Sequence, residues 1–278
     1  MILRLLVPIW PAIVLGVFFF LGMAWFAVRI RRRGVPEFPD VDHRVMTAMA
    51  TPFLTRYILW ILTPIEVRLA AWRIAPSAIT MVALVFSGAS GIAVANRRLA
   101  AATWLYVFAG LLDILDGRVA RRSGRTSPAG ALIDSVADRW GEYFVLAGAA
   151  YFLRDSLLYV GTALFAIAGS QMVSYVRARG EALGLSLTGG TMQRAERIVL
   201  VSFALLAGAI GAQTRSFDPH TVLAGTLFVV GLSSTWTSLH RLRQGVVALN
   251  LRSREVHTLV TKPKTRRARA AAESTRQA

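Results

Sequence analysis

Between Asp113 and Asp138 the chain places four of its eight aspartates among apolar residues. In order come Asp113, Asp116, Gly117, Ala120, Arg121, Gly130, Asp134 and Asp138, with hydrophobic runs on either side. A carboxylate at membrane depth costs at least ~2.5 kcal/mol on insertion scales, so four together need a compensating partner. Asp113 and Asp116 are three apart and Asp134 and Asp138 four apart, so each pair shares one face of a helix. A short polar segment, residues 121–126, joins the two helices, which must run antiparallel and bring the pairs together. Uncompensated, such carboxylates repel one another and take up protons. Two divalent cations would neutralise them, and all-oxygen donors favour Mg²⁺ or Mn²⁺ over zinc. A site of that kind polarises a phosphoryl oxygen and stabilises a leaving phosphate, which suits phosphoryl transfer. Gly117 and Gly130 let a ligand or a neighbouring helix approach the backbone, and Arg121 can offset a phosphate's charge.

The elements that must position these residues are membrane helices. The chain has 278 residues, 55% of them hydrophobic. Apolar stretches near 5–28, 77–96, 101–120, 129–151, 157–176, 195–213 and 221–239 reach the ~20 residues that cross a hydrocarbon layer as helix. Strands of alternating pattern are absent, which argues against a β-barrel. The fold class is an all-α integral membrane protein. Ser87, Gly91 and Ala95 recur every four residues and offer a face for helix packing.

Charge sets the orientation. The net charge is +17, but basic residues gather in alternate loops and in the tail rather than in a nucleic-acid-binding patch. The loops on the other side carry only Arg97, Arg98, Arg154 and Arg215. This is the positive-inside pattern, and it puts the aspartates, the connection at 177–197 and the C-terminus in the cytoplasm. With no cysteines, disulfides and thiolate chemistry are excluded. His43, His220, His240 and His257 have no metal-ligand spacing.

The chain divides into an N-terminal transmembrane anchor (1–33), a polar linker (34–50), an amphipathic segment (51–75), a catalytic membrane domain (76–248) and a basic cytoplasmic tail (249–278). The first segment lacks a strongly basic start and is followed by Arg29 and Arg31–Arg33, so a retained anchor fits better than a cleaved signal. In 51–75, Phe53, Tyr57, Trp60 and Trp72 mix with Arg56, Glu66, Arg68 and Arg73, and Pro64 is expected to break the run. That composition reads as helix lying in the membrane interface. Lys262, Lys264, Arg266, Arg267 and Arg269 suit either an anionic lipid surface or a solvated tail.

The spacing Asp-x₂-Asp-Gly-x₂-Ala-Arg-x₈-Gly-x₃-Asp-x₃-Asp resembles the signature of the CDP-alcohol phosphatidyltransferases at every fixed position. The resemblance covers roughly residues 51–246. It implies a six-helix core with an interfacial amphipathic helix, usually homodimeric, whose active site opens to the cytoplasmic leaflet; a bacterial inner membrane is the expected location. The N-terminal transmembrane helix is additional to that core. By the same resemblance, Asp113, Asp116 and Asp134 hold the metals, and Asp138 completes the site and acts as general base on the acceptor hydroxyl. Gly117, Ala120, Arg121 and Gly130 line the CDP pocket. Residues 76–80 resemble the family's nucleotide-side entry motif, which adds Thr80 to the CDP contacts, although Ser77 replaces the usual Asn or Asp. The implied reaction transfers a phosphatidyl group from CDP-diacylglycerol to an alcohol and releases CMP.

Arg177, Arg197 and Arg241 lie at the inner ends of separate helices, where guanidinium groups can bind a second phosphate bidentately. They match the acceptor-phosphate positions of the phosphatidylinositol-phosphate synthase branch and its archaeal relatives. Arg177 stands where that branch usually has lysine, and Gln193 and Ala195 also depart from it. Membrane topology alone also puts arginines at inner helix ends. Inositol phosphate is the first choice of acceptor and glycerol 3-phosphate, giving phosphatidylglycerophosphate, the second. Glu181 and Glu196 read as partners of these arginines. A cation transporter would also account for buried aspartates, but not for Gly117, Ala120, Arg121 and Gly130 at family spacing.

Overall fold

The computed structural model describes residues 10–34, 36, 51–187 and 189–261, with side chains for 20–34, 36, 51–187 and 189–254. Most of the expected linker and the tail lysines and arginines from Lys262 onward lie outside the described residues. Eight helices are described: α1 (Trp10–Arg33), α2 (Pro52–Ala71), α3 (Pro76–Ala95), α4 (Leu99–Arg122), α5 (Pro128–Phe152), α6 (Leu157–Ala182), α7 (Arg194–Thr214) and α8 (Pro219–Thr261). There is no strand among the described residues.

Helix starts follow local chemistry. Proline stands at the first turn of α2, α3 and α5, where its missing N–H has no partner to lose. Ser127 caps α5 by accepting from the Gly130 N–H, and Ser156 caps α6 by accepting from the Tyr159 N–H. Asp218 precedes α8 and accepts from the Thr221 N–H and hydroxyl. The Thr221 hydroxyl bond, above all, holds the Asp218 carboxyl down at about 2.

Five helices, α3, α4, α6, α7 and α8, are long and apolar enough to cross a membrane. Among the six helices from α3 to α8, α5 is the exception. It has the length, but Asp134, Asp138, Arg139 and Glu142 interrupt its apolar sequence. It packs between α3 and α6, so its charges are shielded by neighbours rather than by its own sequence. Along the bundle α3 lies on α4 and α5, α6 on α8, and α7 on α4 and α8.

Crossings are close where side chains are small. A Cβ on Gly91 would collide with the Phe144 carbonyl, and one on Gly148 with the Gly91 carbonyl. A Cβ on Gly141 would lie 2.9 Å from the Ser87 hydroxyl. The small-residue face of α3 is therefore used within the chain, against α5. The larger apolar core includes Val94, Ala102, Tyr106, Val145, Ala149, Leu205 and Leu227, and the short loops 96–98, 153–156 and 215–218 close the end of the bundle away from the aspartates. Short loops at that end make consecutive helices antiparallel, which returns Asp113, Asp134, Arg177, Arg194 and Arg241 to one face of the molecule.

Helix α2 runs through Pro64 without a break, contrary to the expectation from sequence. Tyr57, Leu59, Leu62 and Glu66 are buried on both sides of the proline, and this packing outweighs the lost backbone hydrogen bond. Leu62 joins Ile79, Leu115 and Val119 in a second apolar cluster. Glu66 is the fixed point: it accepts from Arg118 Nε at 2.6 Å and from Arg122 Nη1 at 3.3 Å. Phe26 of α1 meets Phe53, Tyr57 and Trp60 of α2 at ring distances of 5.3–5.6 Å. Removing one member of a buried ion pair costs about 3–5 kcal/mol, so Glu66→Ala is expected to release α2 from α4. Faster protease cleavage within 51–75, read in detergent, checks this.

Helix α8 passes residue 248, the expected end of the catalytic domain, and continues as helix to Thr261. At 43 residues and ~1.5 Å per residue it is about twice as long as a bilayer crossing requires.

Candidate active site

Asp113 and Asp116 occupy the last turns of α4, and Asp134 and Asp138 the first turns of α5. One carboxylate oxygen each from Asp113, Asp116 and Asp134 lies within 4.8 Å of the other two. This is the spacing of oxygens that share a cation, and carboxylates suit a hard divalent ion. Asp116 is the most deeply placed of the three. The Thr80 hydroxyl of α3 donates to its Oδ2 at 2.6 Å. Thr80, expected at the nucleotide, thus orients a carboxylate of the candidate ligand set.

Asp138 joins the cluster through a residue outside the expected set. Arg194 Nη1, in the first turn of α7, lies 2.6 Å from Asp113 Oδ1 and 2.6 Å from Asp138 Oδ1. All three side chains are about one quarter exposed. Asp113 therefore belongs to both groups, the three carboxylates and the arginine bridge. The signal for Arg194 lay in the run Gln193-Arg194-Ala195-Glu196-Arg197, where topology accounts for any arginine equally well.

The expected nucleotide residues Gly117, Ala120, Arg121 and Gly130 lie at the same ends of α4 and α5 as the aspartates. Gly117 follows Asp116, and the Arg121 guanidinium lies over it: a Cβ on Gly117 would be 3.3 Å from Nη1. Gly130 gives its N–H to the Ser127 cap at 3.0 Å, so its backbone serves the start of α5. Ala120 is half-buried and Arg121 exposed on the same end of α4.

The three outlying arginines have different surroundings. Arg177 is exposed and pairs with Glu181 at 2.9 Å one turn along α6. Arg241 is buried; it donates from Nε to the Gly189 carbonyl at 2.6 Å and from Nη1 to the Val173 carbonyl at 3.2 Å. Both Arg177 and Arg197 lie close enough to act on its charge. Arg197 is 1% exposed. It holds Glu142 through two parallel bonds of 2.5 and 2.8 Å and donates to the Met192 carbonyl at 3.2 Å. Three of its five N–H groups are thereby engaged, leaving two. Glu142 was not singled out from sequence, although it follows Asp138 by four residues on α5 and is the next acid along that face. Glu196 closes a capping box with Gln193.

Comparison with known proteins places this arrangement. The family pattern for CDP-alcohol phosphatidyltransferase matches residues 73–237. Archaetidylinositol phosphate synthase of Methanothermobacter thermautotrophicus is 33% identical over 170 residues, covering 61% of this chain and 82% of the relative. Phosphatidylinositol phosphate synthase of Mycobacterium tuberculosis is 32% identical over 199 residues, covering 69% of this chain and 88% of the relative. The crystal structure of the M. tuberculosis enzyme with CDP-DAG bound superposes with a TM-score of 0.59 at 28% identity, over 66% of this chain and 93% of that one. Its complex with manganese and citrate gives a TM-score of 0.58 at 28% identity, over 66% and 88%. The aspartate cluster of this chain is a candidate divalent-metal site, and the relative's crystal holds manganese. The chain is an α-helical integral membrane transferase and belongs to the CDP-alcohol phosphatidyltransferase family.

Proposed function

We propose that this protein makes a phosphoinositide-type phospholipid, transferring the phosphatidyl group of CDP-diacylglycerol to inositol phosphate with release of CMP. The observation that carries the reading is the convergence of Asp113, Asp116 and Asp134 at one end of the bundle, beside Asp138 and a set of arginines. Two Mg²⁺ ions per site are the proposed cofactor, with Mn²⁺ as substitute; bound there, they supply Lewis-acid polarisation of the phosphoryl oxygens. Asp113, Asp116 and Asp134 are the residues that would hold them, with Asp138 completing the set.

Gly117, Ala120, Arg121 and Gly130 are assigned to the CDP side and Thr80 to the orientation of Asp116 beneath it. Asp138 accepts the proton of the acceptor hydroxyl, whose oxygen then attacks the β-phosphorus in line as CMP departs. Arg177, Arg241 and the remaining N–H groups of Arg197 are assigned to the acceptor's phosphate. Support for a phosphorylated acceptor comes from the nearness of Arg241 to both Arg177 and Arg197 and from the relatives' names. The site is proposed to open to the cytoplasmic leaflet of a bacterial inner membrane, in a homodimer; the excess of basic residues at that end supports the orientation. The resulting domain reading is an anchor at 1–33, a linker at 34–50, an interfacial helix within 51–75, a catalytic bundle at 76–248 and a basic tail.

The test is CMP release by purified protein in detergent with CDP-diacylglycerol, Mg²⁺ and inositol 1-phosphate, glycerol 3-phosphate, inositol or serine. Release with inositol 1-phosphate alone is the expected result. Release with glycerol 3-phosphate alone would make the protein a phosphatidylglycerophosphate synthase. Release with only serine or free inositol would remove the arginines from the acceptor site.

A further inference from the structure

We propose that Arg194 is a built-in counter-cation, holding Asp113 and Asp138 together and competing with divalent metal for their carboxylates. The proposal rests on the metal-site reading and adds a residue to which that reading gives no role. A single nitrogen, Nη1, lies 2.6 Å from an oxygen of each aspartate. One of those oxygens is on Asp113, which also stands within 4.8 Å of Asp116 and Asp134 in the candidate ligand set. A cation that takes Asp113 fully, or uses Asp138, must draw those oxygens away from the guanidinium.

Charge balance points the same way. Two divalent ions match four carboxylates, so an arginine that stayed among them would leave the site with excess positive charge in a partly buried setting. With one ion, the arginine instead offsets part of the remaining negative charge. Arg194 therefore opposes full loading. Its Nε is buried without a hydrogen-bond partner, so the head group is held mainly by its carboxylate contacts and can leave without breaking a bond at that atom. The backbone origin of the side chain is fixed, because Gln193 and Glu196 close a capping box around the first turn of α7.

The test is Mn²⁺ binding, followed by the electron paramagnetic resonance of free Mn²⁺, for wild-type, Arg194→Gln and Arg194→Lys proteins in detergent. Coupling free energies between binding events are typically worth roughly fivefold or more, and Arg194→Gln is expected to bind Mn²⁺ tighter by about that factor. Its melting temperature without metal is expected to fall below wild type, and the gap to close as Mn²⁺ is added. Arg194→Lys, which keeps the charge on a shorter side chain that reaches the two carboxylates less well, is expected to fall between the two and covers the case in which the glutamine variant does not fold. Equal or weaker Mn²⁺ binding by the variants would overturn the competition and leave Arg194 a structural bridge. Failure of the wild-type protein to bind Mn²⁺ would overturn the metal site and this proposal with it, whatever the acceptor assay gave.

Discussion

Asp138→Asn is expected to lower CMP release by about 10²–10⁴-fold, the usual contribution of a general base, while the protein still binds Mn²⁺. Asparagine keeps the shape of the side chain and removes its capacity to take the acceptor's proton. Asp113, Asp116 and Asp134 remain within 4.8 Å of one another, so the main ligand set survives. Arg194 retains its contact with Asp113. Asp116→Asn is the instructive contrast: it weakens the ligand that Thr80 orients, and metal binding and turnover should fall together. Asp155→Asn serves as a control, because Asp155 pairs with exposed Arg97 at the opposite end of the bundle, and such pairs contribute about 0–1 kcal/mol. Turnover by Asp138→Asn within about tenfold of wild type would move the base to another residue.

Glu142→Ala is expected to cost about 3–5 kcal/mol of stability, the penalty for stripping one partner from a buried ion pair. Glu142 and Arg197 are 4% and 1% exposed, and their two parallel hydrogen bonds tie α5 to α7. Those helices carry Asp138 and Arg194, so the pair also sets the separation across the site. Replacing both partners behaves differently, because the double change removes the desolvation penalty along with the attraction. Glu142→Leu with Arg197→Met is expected to recover most of the lost melting temperature. That folded double variant separates two roles for Arg197. If its spare N–H groups bind the acceptor's phosphate, KM for inositol 1-phosphate rises severalfold or more while KM for CDP-diacylglycerol is unchanged. If Arg197 is a structural tie alone, both constants stay where they were.

The position of Glu66 shows why α2 could be read only in part. Aromatic and charged residues in one short segment marked it as an amphipathic helix, and its start at Pro52 is locally encoded. What Pro64 does was not locally encoded. A proline removes one hydrogen bond, and whether the helix continues depends on what both halves are packed against, here α4 through Leu62 and Glu66. The small residues of α3 carry the same lesson. Their spacing announced a close crossing, but a face of serine, glycine and alanine serves a neighbouring helix or a second molecule equally well. Only the contact of Gly91 with Phe144 and Gly148 assigned it to α5.

Sequence by itself determined the helical membrane class, the antiparallel pairing of α4 with α5 and the aspartate cluster, because each follows from local periodicity, a short turn and the cost of charge in hydrocarbon. Tertiary structure alone decided the partners of the charged side chains. An arginine reaches several ångströms in many directions, and its sequence position does not say which carboxylate it will meet. Folding gave Arg194 to Asp113 and Asp138, Arg197 to Glu142, Arg118 to Glu66 and the Thr80 hydroxyl to Asp116, pairings that span from 36 to 81 residues of chain and exist only once the helices have docked.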